Sequence, residues 1–162
     1  MRRVFDNGLW LAAMGAALVL VGCGSSSAPV ASGHAGFVSQ ANGICKAANT
    51  QIHGLPAPVG AEAVAAASLL GEELPVATAE LHHLERLAPT GPERVPFAAY
   101  LATAVQEIAI ASNAHAAAQA DNLASFHEAI TQLAAVTIKS NTAATSAGLL
   151  ECTSKPEAAG SR

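Results

Sequence analysis

The sequence predicts an all-α protein: an antiparallel four-helix bundle with a kinked second helix, clasped by one disulfide. Three observations lead there. The chain is 51% hydrophobic but only 4% aromatic, and alanine carries the difference; alanine has the best helix propensity, whereas strands want β-branched and aromatic residues. Four segments repeat apolar residues at steps of three and four, the period of one helix face. Proline and glycine clusters separate these segments by short turns, which favour antiparallel neighbours.

Before the bundle comes a leader. Met1-Arg2-Arg3 is a basic start, and Leu9 to Gly22 is an uncharged, mostly apolar run of 14 residues, the n-region and h-region of an export signal. A spanning helix needs about 20 apolar residues, and Gly24-Ser25-Ser26-Ser27-Ala28-Pro29 breaks the run. Arg2-Arg3 lacks the preceding Ser or Thr of a twin-arginine signal, so the general secretory route is expected. Leu20-Val21-Gly22-Cys23 resembles the lipobox of bacterial lipoproteins. The resemblance implies cleavage after Gly22, acylation of Cys23, and a protein anchored by that lipid on the extracytoplasmic face of the cell membrane. More than one acyl chain makes such an anchor stable. The expected layout is signal peptide 1–22, flexible tether 23–34, helical domain 35–152 and disordered tail 153–162.

Without its leader the chain has 140 residues, enough to bury a core. Because Arg2, Arg3 and Asp6 leave with the leader, the formal charge moves from −4 to −5. That balance disfavours nucleic acid and anionic headgroups as partners.

The first helix is expected over 35–53. Phe37, Ala41, Ile44, Ala48 and Ile52 make its stripe, with Cys45 at the stripe's edge, and Gly54-Leu55-Pro56-Ala57-Pro58 ends it. The second, about 60–88, has the clearest period: Ala63, Ala67, Leu70, Leu74, Ala77, Leu81, Leu84 and Ala88, as in a coiled coil. Pro75 removes one backbone donor and crowds the Gly71 carbonyl. The apolar phase survives across it, so one kinked helix is expected.

Pro89-Thr90-Gly91-Pro92 is a turn. Thr90 and Glu93 stand in capping-box relation, with Pro92 in the first turn of the third helix. That helix runs to about Ala120 with Phe97, Leu101, Val105, Ile108, Ser112 and His115 along one face. Ala114 to Ala120 is nearly all small residues, and Glu107 argues against membrane insertion. After Asp121-Asn122 the fourth helix carries Leu123, Phe126, Ile130, Leu133, Thr137, Asn141 and Ala144, with Gly148 as its cap. Leu149-Leu150-Glu151-Cys152 then folds back.

Three cysteines divide into one and two. With Cys23 assigned to lipid, Cys45 and Cys152 read as a disulfide in an oxidising compartment; two free thiols or one reactive cysteine are the alternatives. An up-down-up-down bundle puts the start of helix one beside the end of helix four, which suits the bridge.

The order Phe37…Ala41-Asn42-Gly43-Ile44-Cys45…Ala48-Asn49…Ile52…Leu55-Pro56, Leu84…Leu87-Ala88-Pro89 and Ala147-Gly148-Leu149…Cys152 is similar to a group of small, Ala-rich secreted proteins and lipoproteins of high-GC Gram-positive bacteria. The resemblance implies a helical, disulfide-clasped extracytoplasmic domain and brings no activity with it.

Metal and catalytic signatures are weak. His34, His53, His82, His83, His115 and His127 include no pair three or four apart, so none makes a local metal clamp. His83 with Glu80, or His82 with Glu85, reads as a solvated pair, and Glu72-Glu73 as an exposed face. No GxSxG, HExxH, SxxK or phosphate loop occurs. Neither an enzyme nor a cofactor is expected. Two functions remain: a structural or protein-interaction module of the cell envelope, docking through the Ala-rich stripe of helix three, or a carrier of a small apolar ligand within the bundle, in voids near Pro75.

Overall fold

The computed structural model describes residues 33–154. Cys23, the leader and most of the tether lie outside the described residues. Four helices follow in order: α1 (His34–His53), α2 (Glu62–Glu85), α3 (Arg94–Gln119) and α4 (Leu123–Ser146), then a short 3-10 turn, Leu150–Cys152. Among the described residues there is no strand.

The helices alternate in direction, as contacts at the two ends of the bundle show. At one end the starts of α1 and α3 meet the end of α4. Phe37 packs edge-on against Phe97, with ring centroids 4.8 Å apart, and Val38 lies over Gly148. At the other end Glu62, opening α2, faces His127 near the start of α4 at 3.7 Å.

Local sequence explains most boundaries. The end of α4 is a Schellman motif: Gly148 sits at φ 76°, its N–H bonds Thr145, and the Leu149 N–H bonds Ala144. The end of α3 repeats this with Asp121 at φ 52° in the glycine position, where the Asp121 N–H bonds Ala118 and the Asn122 N–H bonds Ala117. Asn122 then caps α4 by accepting from the Ser125 N–H at 3.2 Å. α2 runs unbroken through Pro75, as one helix.

The start of α3 differs from the expected capping box. Glu93, not Thr90, stands at the N-cap position, and no side chain caps the helix. The Glu93 carboxylate accepts from its own backbone N–H and from that of Gly91, and from His34 Nδ1 at 2.9 Å. A Cβ on Gly91 would lie 2.6 Å from that carboxylate, so a side chain there would require the carboxylate to shift. Glu93 is 3% exposed, and these donors hold its carboxyl below the usual range.

Two buried clusters form, one toward each end. One gathers Phe37, Ala41, Cys45, Leu84, Phe97 and Tyr100 with Ala144, Ala147, Leu149 and Cys152. The other gathers Leu70, Ala114, Ala118, Phe126 and Ala129. α1 contributes to the first and nothing to the second, so the bundle is closed by four helices at one end and by three at the other.

Three asparagines tie down the returning chain. Asn42 donates to the Gly148 carbonyl at 3.1 Å and accepts from the Glu151 N–H at 2.8 Å. Asn49 donates to the Glu151 carbonyl at 2.7 Å. Asn141 both donates to and accepts from the Ser154 backbone, at 3.0 and 2.8 Å, so the chain is held two residues past Cys152.

Candidate functional site

Between the two clusters lies a cleft of about 260 Å³. Leu70, Leu74 and Leu81 of α2, Ile108 and Ala111 of α3 and Leu133 of α4 supply apolar wall, while Asn49 and Ile52 of α1 and Ser154 border it on the side that α1 only partly covers. The waist is open for a simple reason: Ala77, Ala104 and Ala111 carry only a methyl group where a bundle of ordinary bulk would place leucine, and close packing tolerates little such shortfall.

Four titratable groups line this apolar space: Glu73 and Glu80 of α2, and Tyr100 and Glu107 of α3. Among the described residues that line it there is no Lys, Arg or His. Burial raises the Glu80 carboxyl from 4.5 to about 7, with the nearby Glu107 charge adding to the rise. Glu107 is also raised by burial, and hydroxyl donors on Thr137 and Ser140 of α4 oppose the rise. Those donors stabilise the Glu107 anion, so Glu107 ionises first and its charge then discourages Glu80. Tyr100 is 5% exposed. Its phenol is pushed well above the ordinary value by burial, then by Glu80 and Glu107.

Cys152 forms part of the cleft wall. It is bonded to Cys45 across 107 positions of sequence, with Cα atoms 5.0 Å apart, so the expected bridge is present and the free-thiol alternatives fall away. Cys45 is fully buried, not at an edge. One Glu80 oxygen lies within 4.8 Å of both sulfurs. Since the sulfurs are bonded to each other, this trio offers a cation one oxygen and no thiolate.

Several side chains stand elsewhere than the sequence suggested. His83 is engaged by Arg86, not by Glu80. Glu72 is exposed, as expected, but Glu73 turns into the cleft. The inward stripe of α3 is Phe97, Tyr100, Ala104, Glu107, Ala111, Ala114 and Ala118; Val105 is 49% exposed and Ser112 lies outside. On α4 the buried positions are Phe126, Ala129, Ser140 and Ala144, whereas Leu123 and Ile130 are more than a third exposed. Tyr100, Glu107 and Glu80 were therefore missed as site residues. A signal was present: Tyr100, Glu107, Ala111, Ala114 and Ala118 step by seven, four, three and four, in phase with Phe97.

Comparison with protein-family models, with curated proteins and with solved structures gave no match.

Proposed function

We propose that this chain is a lipid-anchored lipoprotein of the extracytoplasmic membrane face whose helical bundle carries a small ligand in the cleft at its waist. One observation carries the reading: an apolar-walled cleft of about 260 Å³ bordered by all four helices, a little below the volume usual for ligand pockets but lined as they are, by hydrocarbon with a few convergent polar groups. The Ala-rich stripe of α3, the other candidate surface, is spent in the core, where Ala114 and Ala118 pack with Leu70 and Phe126. That supports the carrier over an interaction module docking through this stripe. The interaction module keeps one supporting feature, the outward Val95 and Val105 of α3, 77% and 49% exposed.

The anchor rests on the lipobox resemblance of Leu20 to Cys23 and on the export-like leader. Export also agrees with a disulfide as the bridge of the fold.

The test is native mass spectrometry of the protein extracted from its own membrane. A carrier retains a bound small molecule and shows an acyl adduct on Cys23, and unfolding plus reduction adds about 2 Da as one disulfide opens. An empty cleft in every preparation, with partners captured by crosslinking through α3, replaces the carrier with the interaction module. Cys23→Ala should move the chain out of the membrane fraction; unchanged fractionation refutes the anchor.

A further inference from the structure

We propose that α4 is a self-association surface: two copies of this chain pair through its outer face, with the two helices antiparallel and the two-fold axis beside Ile130. The residues concerned do not line the cleft, and the proposal is independent of the carrier reading.

The face follows from where α1 lies. α1 joins the cluster around Phe37 and Phe97 and contributes nothing to the one around Leu70 and Phe126. α4 buries Phe126, Ala129, Ser140 and Ala144. Beside that stripe, Leu123, Ile130, Ala134 and Ile138 fall within about 80° of one another at 100° per residue. They stay in the open: Leu123 is 41%, Ile130 37% and Ile138 69% exposed, and Ala134 is exposed as well. No Asp, Glu, Lys or Arg falls in this arc; His127, which does, faces Glu62 at 3.7 Å.

Two features select a second copy as the occupant. Copies of one chain carry like net charge, −4 for the full sequence, so a face that joins them must add no repulsion, and this one is uncharged. The stripe is also complementary to itself. Antiparallel pairing about Ile130 sets opposite each other residues whose numbers sum to about 260, and an isologous contact then occurs twice. Ile130 meets the partner's Ile130, Leu123 meets the partner's Ile138, and Ala134 leaves room for the partner's His127. The same alignment brings Asp121, exposed in the turn before α4, to the partner's Lys139, also exposed. Apolar and charged positions therefore choose one register. A parallel pair would set Lys139 against the partner's Lys139 and Asp121 against the partner's Asp121, which the charges disfavour. From Leu123 to Ile138 the face is about 24 Å long, a small interface of the weak, transient class.

The experiment is sedimentation velocity of the full chain and its variants in a mild detergent, at protein concentrations from about 1 µM to about 1 mM. The parent should shift from one copy to two across that range. Ile138→Lys should weaken the dimer about tenfold or more, because it sets a charge against the partner's Leu123. Lys139→Asp and Asp121→Lys should each favour the monomer, since each homodimer would face like charges twice. Mixed in equal amounts, these two variants should form a dimer again, in which both pairs are opposite in sign. Circular dichroism melts separate folding from association: Asp121→Lys is expected to lose some midpoint, its backbone being at φ 52°, and if it does not fold, Ile138→Lys and Lys139→Asp decide alone. A parent that stays monomeric, a dimer indifferent to Ile138→Lys or to Lys139→Asp, or a mixture of folded variants that stays monomeric overturns the proposal. A dimer lost with Val105→Lys instead of Ile138→Lys belongs to α3 and overturns it as well.

Discussion

Replacing Glu80 by Gln should stabilise the protein in neutral and alkaline solution and leave it nearly unchanged in mild acid. A glutamate of the unfolded chain titrates near 4.5, whereas Glu80 in the fold titrates at about 7. Between those values the native state holds a proton that the unfolded state has lost, so stability falls as pH rises through the window and levels off above it. At 1.36 kcal/mol per pH unit, the fall is on the order of 3 kcal/mol, and less to the extent that water in the half-open cleft screens the charge. Glu107, also raised by burial, acts in the same direction. Glu93 acts in the opposite direction and in another window: its carboxyl is lowered, so the stability it contributes is present above about 4.5 and lost as pH falls further. The most stable point should therefore lie near pH 5. Urea denaturation followed by circular dichroism at about pH 5 and about pH 8 measures the difference. The parent should lose about 2–3 kcal/mol across that interval and Glu80→Gln most of it less. A parent whose stability holds or rises between these points, or a Glu80→Gln variant weaker than the parent at the higher pH, would show that Glu80 is not held protonated by burial.

Other perturbations probe the frame. Cys45→Ser and Cys152→Ser should lower the thermal midpoint by similar amounts, up to about 4–5 kcal/mol for a bridge spanning 107 positions; unequal effects, or none on adding reductant, would refute the clasp's role. Leu84→Ala, at a side chain 1% exposed, should cost about 2–5 kcal/mol in urea melts, and a loss under about 1 kcal/mol would mean that the cluster around Phe37 and Phe97 is loosely packed. Asp121→Gly should raise the midpoint by the equivalent of about 0.5 kcal/mol, because φ 52° suits glycine better than aspartate. A lower midpoint would indicate that the Asp121 side chain contributes more than its backbone strain removes.

Much of the frame was legible in the sequence because strong local signals set it. The stripe of α2 from Ala63 to Leu84 lies inward as its spacing implied, with Ala63, Leu70, Leu81 and Leu84 buried, since its leucines differ sharply from the polar residues between them. Ala88 falls past the helix end and is exposed. The αL glycine at Gly148, the turn at Asp121-Asn122 and the pairing of Cys45 with Cys152 were likewise readable, each depending on a few neighbouring residues or on a count. Glu93, expected as half of a capping box, instead turns its carboxylate to its own backbone N–H, that of Gly91, and His34, a partner 59 positions away that local sequence does not reveal.

By itself the sequence determined that this is an alanine-rich helical chain, where its turns fall, and which cysteines remain to pair. Tertiary structure decided the rotation of α3 and α4 and, with it, the site. On α3, alanines and aliphatic residues occupy every side, so periodicity selects no inward face; the face is chosen by where bulky partners sit, Phe37 against Phe97 at one end and Phe126 beside Ala114 and Ala118 at the other. That rotation turns Tyr100 and Glu107 inward and Val105 out. Because α1 joins only one of the two clusters, the waist they share with Glu80 remains a cleft.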